Sequence, residues 1–275
     1  MEQAESRDSL TDGRTRTAIV MQDEDIPVLV GIRDATFITI WQLWKMLSYR
    51  GHSYTRDQVK HRVFRLAKAG LLDTHPPVAI ERGFSYSITR YGLSCLEYSG
   101  YGMVSISSDT ERLADPIQIV HALQLNTIML AFCATGKVTG WLTDRLVRNR
   151  NVLSTSPFAK DYDAVCTIAR TDGGKQAIGV EFERTLKSRD RYIEIQQRLA
   201  REVRLAYVLY FVLDAHAIPV IASYLGTPGH CNILYVVIGD FRRFGLAAQS
   251  HFLRHEQQTQ TLISAPLTQV LSVVI

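Results

Sequence analysis

The stretch from Lys160 to Leu213 constrains the fold more than any other part of this chain. It reads KDYDAVCTIARTDGGKQAIGVEFERTLKSRDRYIEIQQRLAREVRLAYVLYFVL. Two short β-type runs, residues 162–169 and 177–183, flank Thr171-Asp172-Gly173-Gly174, a turn sequence that joins them as a hairpin. A helical stretch over 188–204 follows, and then an apolar run over 206–213. A hairpin forces antiparallel pairing, whereas a strand reached through a helix can return parallel, so the pattern predicts a mixed sheet packed by helices. Further β-type runs at 138–143 and 232–239, with an apolar-periodic helix over 117–134 containing His121 and Asn126, give the order α-β-β-β-α-β. From Phe241 onward the pattern predicts one helix to His255 and a closing strand near 267–275. His251 and His255 then stand four apart without a third ligand or an HExxH pattern, which reads as a solvated helix face rather than a zinc site.

The N-terminal third has a different rhythm. Residues 1–22 show no hydrophobic period and read as a flexible arm. A first helix over 24–34 would bury Ile26, Val30 and Ile32, and Thr39 opens a second apolar-rich stretch, carrying Trp41 and Trp44, that ends near Arg50-Gly51. Thr55 with Gln58 three residues on forms a capping box, and Val59, Val63, Leu66 and Gly70 follow at helical spacing. Arg56, Lys60, His61 and Arg65 lie off that stripe. Strand-like runs at 78–81 and 84–88 around Arg82-Gly83 then predict a β-hairpin. Three helices and a hairpin are the order of a winged helix-turn-helix over 23–104, whose third helix enters the major groove and whose wing touches the backbone. The expected contacts to double-stranded DNA are therefore Arg56, Lys60, His61 and Arg65, with Arg82 in the wing. A helical interaction module with a merely solvated basic face is the alternative.

Charge distribution points the same way. From Lys45 to Leu72 seven Lys/Arg face one acid, Asp57, and from Lys137 to Arg204 fourteen basic residues face nine acidic ones. Beyond Leu205 the count is three against three. Positive charge gathered in two stretches favours an anionic partner, nucleic acid first. The longest apolar runs fall short of a membrane span, and the polar N-terminus has no signal-peptide core. Cys95, Cys133, Cys166 and Cys231 form no CxxC pair and read as reduced thiols of a cytoplasmic protein. No Gly-rich phosphate loop or GxSxG motif is present.

Side chains alternate along a strand, so Glu181 and Glu183 share one face, and Asp163 on the neighbouring strand can bring a third carboxylate to the same edge. Hard cations such as Mg²⁺ take oxygen ligands of this kind. Lys187 stands where it can offset the acids, contact a phosphate or orient a water. The element order with these acids resembles the PD-(D/E)XK nuclease fold, over residues 115–275. In that pattern Asp163 and Glu181 stand at the two acid positions, Glu183 occupies the usual lysine position, and Tyr162 replaces the proline. The whole chain further resembles the replication-relaxation family of bacterial and plasmid proteins. Those pair a winged helix with a nuclease-like domain, and His121, Asn126, Asp163-Ala164, the run from Glu181 to Ser188, and Tyr192 fit their motif series.

The resemblance implies an α+β/α/β two-domain protein, a winged helix-turn-helix followed by a restriction-endonuclease-like mixed sheet. It implies a DNA-binding regulator of transcription, plasmid replication or mobilisation on a mobile genetic element. The alternative is a Mg²⁺-dependent endonuclease or nickase. In that case Asp163 and Glu181, with the Phe182 carbonyl, would hold the metal, Glu183 or Lys187 would orient the attacking water, and Arg184, Arg189 and Arg191 would hold the backbone. Winged-helix proteins commonly bind two-fold DNA sites as dimers, so a homodimer is expected.

Overall fold

The computed structural model describes residues 21–79, 83–101, 115–256 and 259–271. Most of the expected N-terminal arm, Arg82 at the expected wing tip, and the segment joining the two halves lie outside the described residues. The chain is a mixed α and β protein with a small antiparallel sheet in its first third and a seven-stranded mixed sheet in the remainder.

The first unit runs α1 (Asp25–Ala35), β1 (Ile38–Thr39), α2 (Ile40–Tyr49), α3 (Arg56–Lys68), β2 (Leu72–His75), β3 (Ser85–Ile88) and α4 (Arg90–Tyr98), and its sheet has the order β1-β3-β2. Local chemistry sets these boundaries. Thr55 and Gln58 cap α3 reciprocally, with the Gln58 N–H donating to Thr55 Oγ1 at 3.2 Å and the Thr55 N–H to Gln58 Oε1 at 2.8 Å. Thr39 and Gln42 repeat the device on α2. Thr89 caps α4 and also donates its hydroxyl to the Gly70 carbonyl at 2.8 Å. A Cβ at Gly92 would stand 2.2 Å from the Leu71 carbonyl oxygen, so only glycine lets α4 approach this closely. Val59, Val63 and Leu66 are fully buried in the unit's core, as the α3 stripe predicts, each contributing about 2 kcal/mol. In α1 the large apolar residues that are buried are Val28, Leu29 and Ile32. Ile26 and Val30, expected inside, are only partly buried.

The hairpin refines the expectation: β3 pairs with Leu72–His75, which precedes the expected run at 78–81, and residues 80 and 81 of that run lie outside the described residues. Leu71 and Leu72 are buried directly after α3, so pairing begins there, and Pro76 and Pro77 end it by withholding N–H donors.

The second unit opens with α5 (Pro116–Cys133) and continues β4 (Val138–Thr143), α6 (Asp144–Leu153), β5 (Ala164–Ala169), β6 (Lys175–Glu183), α7 (Arg189–Leu199), β7 (Tyr207–Val212), α8 (Ala217–Leu225), β8 (Asn232–Val237), α9 (Ile238–Phe244), β9 (Gln249–Glu256), β10 (Thr259–Pro266) and α10 (Leu267–Val270). The strands lie in the order β10-β9-β8-β7-β6-β5-β4. β5 and β6 form the predicted hairpin, with Gly173 at φ 79, and the β6–β7 and β7–β8 pairs are parallel across α7 and α8. Alternation sorts the sheet's two faces. Ile178, Val180, Leu209 and Phe211 pack with α5, α9 and α10, whereas Val208, Tyr210, Ile233 and Tyr235 pack with α7 and α8.

Two parts of the second unit depart from expectation. Helices α6 and α8 are additional to the predicted order. The tail is a β-hairpin, β9 and β10, closed by the short α10, rather than a helix and a strand. His251 therefore sits on a strand, where its Nδ1 lies 2.7 Å from Ser264 Oγ, and the i, i+4 helix geometry of His251 and His255 does not exist.

α5 joins the two units. It is long and apolar enough by composition to cross a membrane, yet its apolar residues are divided among cores: Met129 and Leu130 enter the first, Ile128 and Phe132 the second, and Ile119 and Leu123 pack on Phe37. A helix buried on several sides carries no single apolar stripe. Polar clamps lock it to the first unit. Asn126 donates to the Phe37 carbonyl at 2.7 Å, and Gln42 donates to the Leu123 carbonyl at 2.8 Å.

Candidate functional site

The outer face of α3 carries Arg56, Lys60 and His61, all exposed. Arg56 and His61 make no hydrogen bond or ion pair among the described residues, and Lys60 lies 5.7 Å over the exposed Phe64 ring. Arg65, the fourth helix residue expected to contact DNA, is placed differently. It turns back, with Arg62, onto Asp25 at the start of α1, which is fully buried. Asp25 also accepts the Gln22 N–H at 2.9 Å. Two of the basic residues on α3 thus neutralise a buried acid, and four (Arg56, Lys60, His61 and Lys68) remain available to solvent. Trp44 is partly buried against the first core and donates its indole N–H to the Tyr54 carbonyl, whereas Trp41 is exposed.

The carboxylates meet at one end of β5 and β6, each beside its own basic side chain. Glu181 is buried on the α7 side of the sheet, and Lys160 Nζ lies 2.6 Å from its Oε1. Burial pushes the Glu181 carboxyl up to about 7, with Lys160 pulling it down and Asp163 pushing it up. Glu183 is ion-paired with Lys187, whose backbone N–H donates to Tyr192 Oη at 3.2 Å. Asp163, one residue before β5, accepts the Phe182 N–H at 2.8 Å and lies 3.5 Å from His121 Nε2 on α5. Burial acts to raise the Asp163 pKa, but the His121 hydrogen bond and charge, the Phe182 N–H and Lys160 outweigh it and hold the group below the ordinary value. The His121 ring also stacks on Phe182, centroids 5.5 Å apart.

This arrangement differs from a shared carboxylate edge. Among the described residues no three His, Cys, Asp or Glu side chains are grouped to hold one ion. Asp163, Glu181 and Glu183 are drawn onto His121, Lys160 and Lys187 respectively. A hard divalent cation takes carboxylate oxygens turned toward a common point, and here the three carboxylates each face a separate basic side chain. Of the expected backbone-holding arginines, Arg184 donates to the Ile117 carbonyl at 3.1 Å and Arg191 pairs with Glu194 on its own helix.

Lys160, the partner of Glu181, is the residue of this cluster that motif spacing misses. It lies in the loop before β5, three residues from Asp163, where no strand or helix period predicts which way a side chain turns. Behind the carboxylates the Tyr210 and Tyr235 hydroxyls are buried without partners among the described residues, and burial pushes both well above the ordinary tyrosine value. Tyr162 donates to Glu202, a buried acid that also accepts the Ala159 N–H.

In front of the carboxylates a cleft of about 1390 Å³ lies between the first unit and the sheet. Asp163, Glu183, Lys187 and His121 line it, but Glu181 does not. Its wall on the first unit includes Thr36, at φ 65 and ψ −62. The Phe37 N–H bonds the Ala35 carbonyl at 2.8 Å across this residue, a γ-turn that costs about 1–3 kcal/mol in a β-branched residue. Asn126, whose amide grips the next carbonyl, holds the turn in place.

Compared with family models, curated proteins and solved structures, the chain matches none.

Proposed function

We propose that this chain is a DNA-binding protein, a regulator of transcription, plasmid replication or mobilisation. In this reading residues 25–98 act as a winged helix-turn-helix and the seven-stranded sheet is a PD-(D/E)XK nuclease-like body of the replication-relaxation type. The observation that carries it is the outer face of α3, where Arg56, Lys60 and His61 stand in solvent on a doubly capped helix. The element order and the β1-β3-β2 sheet support the winged-helix reading of this unit. The internal pairing of Asp163, Glu181 and Glu183 supports a binding role over a hydrolytic one, because Lys160 and Lys187 already hold Glu181 and Glu183, and His121 lies against Asp163. The protein acts in the cytoplasm as a homodimer on double-stranded DNA of two-fold symmetry.

The second reading is a Mg²⁺-dependent endonuclease in which Asp163 and Glu181 would hold the metal. What favours it is their position at adjoining ends of β5 and β6, where the Asp163 charge helps to push the Glu181 carboxyl up. One assay separates the two. Incubated with supercoiled plasmid and Mg²⁺ or Mn²⁺, the wild-type protein is expected to retard the DNA without nicking it, with sedimentation of the complex showing two chains per site. Nicking that requires metal and is lost in Glu181→Ala would replace the first reading with the second.

A further inference from the structure

Five Lys/Arg and five Asp/Glu side chains line the cleft between the two units, yet their pairing is uneven. Asp34 is held by Arg33 at 3.0 Å and by Arg50 at 3.2 Å, neither of which lines the cleft. Asp144 is held by Arg148 at 3.3 Å, and Glu183 by Lys187. Arg145, on the first turn of α6, is left over. It is half-buried and makes no hydrogen bond or ion pair among the described residues. Burial draws its pKa down from the ordinary arginine value, against the more distant pull of Asp144 and Asp34. Two more buried polar atoms on the cleft's residues lack partners: Arg184 Nε and Thr143 Oγ1. A guanidinium removed from water without a counter-ion is unfavourable unless something else supplies the charge.

We propose that Arg145, with Arg184 and Thr143, forms a phosphate-binding site in this cleft, and that its ligand is the sugar–phosphate backbone of a nucleic-acid strand. The fork of an arginine matches phosphate oxygens, and a hydroxyl with a second guanidinium N–H supplies the neutral and charged donors that such oxygens accept. Size favours a polymer over a free phosphate or single nucleotide: about 1390 Å³ exceeds the roughly 300–1,000 Å³ of ordinary small-molecule pockets. The identity of the ligand rests on the DNA-binding reading above, whereas the phosphate chemistry rests on the cleft alone. This contact is additional to α3 and lies on the opposite unit.

The test uses the full chain and Arg145→Gln, which removes an unpaired half-buried charge and should fold at least as well as the wild type. Two measurements are made on each. The first is the thermal shift caused by inorganic phosphate against chloride at matched ionic strength. The second is anisotropy of labelled duplex and single-stranded oligonucleotides across a salt series. The wild type is expected to be stabilised by phosphate and Arg145→Gln not. Oligonucleotide affinity is expected to fall about tenfold in the variant, the loss of one charge-assisted hydrogen bond, and the salt slope by about one unit. Unchanged affinity and slope, with no phosphate shift in the wild type, would overturn the site. If the wild type binds no nucleic acid at all, the DNA-binding reading fails separately. A phosphate shift lost in Arg145→Gln would then assign the site to a small phosphorylated ligand and overturn only the strand. Should Arg145→Gln fail to fold, Arg145→Lys keeps the charge without the fork, and a full wild-type phosphate shift in it would count against the site.

Discussion

Replacing Lys160 with methionine is expected to destabilise the protein by about 1.4 kcal/mol at pH 8, with most of that loss gone below pH 6. The cause is the burial of Glu181, which leaves a carboxylate without a partner once the ammonium is removed. Even with Lys160 present the Glu181 carboxyl is pushed up to about 7. Without it, burial and the nearby Asp163 push it higher, so at pH 8 the folded state must either take up a proton or hold an unpaired charge. At lower pH Glu181 is neutral and the missing ammonium matters little. The wild type carries the same sign in milder form. A carboxyl raised from 4.5 to about 7 binds its proton more tightly when folded, so its contribution falls as pH rises through that window, by about 3.5 kcal/mol at 1.4 per unit. Asp163 runs the other way: its lowered pKa stabilises at neutral pH, and that stability is lost as pH falls through the acid range. Urea unfolding at pH 5, 6, 7 and 8 checks this, and Lys160→Met combined with Glu181→Gln should recover much of the loss. A deficit in Lys160→Met that does not change with pH would contradict the pairing.

Asp25→Ala is the second large loss, about 2 kcal/mol. The fully buried Asp25 carboxylate accepts the Gln22 N–H and pairs with Arg62 and Arg65, tying α3 to the start of α1. Removing it strips both arginines of this partner. The two arginines are partly exposed and can turn to water, which holds the loss below that of a fully buried pair. DNA affinity is not expected to fall with stability, because Arg56, Lys60 and His61 are untouched and two further cations are released on α3. Denaturant unfolding alongside an anisotropy titration separates these effects. A change under 0.5 kcal/mol, within the usual range of a surface substitution, would show that the buried network holds nothing.

Much of the architecture was legible because strong local signals agreed with tertiary packing. The Thr55–Gln58 box, the Val59/Val63/Leu66 stripe and the Asp172-Gly173-Gly174 turn each carry their own chemistry, and the structure has all three. Strand β4 at Val138–Thr143 and helix α5 fall within a residue of the sequence pattern. What escaped was decided at longer range. Helix α8 is short and apolar, so periodicity alone blends it with the flanking strands. The β9–β10 hairpin pairs along its whole length although its polar and apolar residues alternate irregularly. At the candidate site the parity of Glu181 and Glu183 was readable, and both are buried on one face. Their partners were not, because Lys160 lies in a loop and Arg65 reaches an acid forty residues away. No local pattern records such pairings.

The decisive measurement is the salt dependence of duplex affinity for the wild type and for the double variant Arg56→Ala/Lys60→Ala. Both residues are exposed on α3 and neither enters a core, so stability should be unchanged. If α3 holds the DNA backbone, each lost cation releases about one fewer counterion, and the slope of log affinity against log salt should flatten by about two units with affinity reduced at low salt. A double variant that binds duplex with the wild-type affinity and the wild-type slope would contradict DNA binding through this helix.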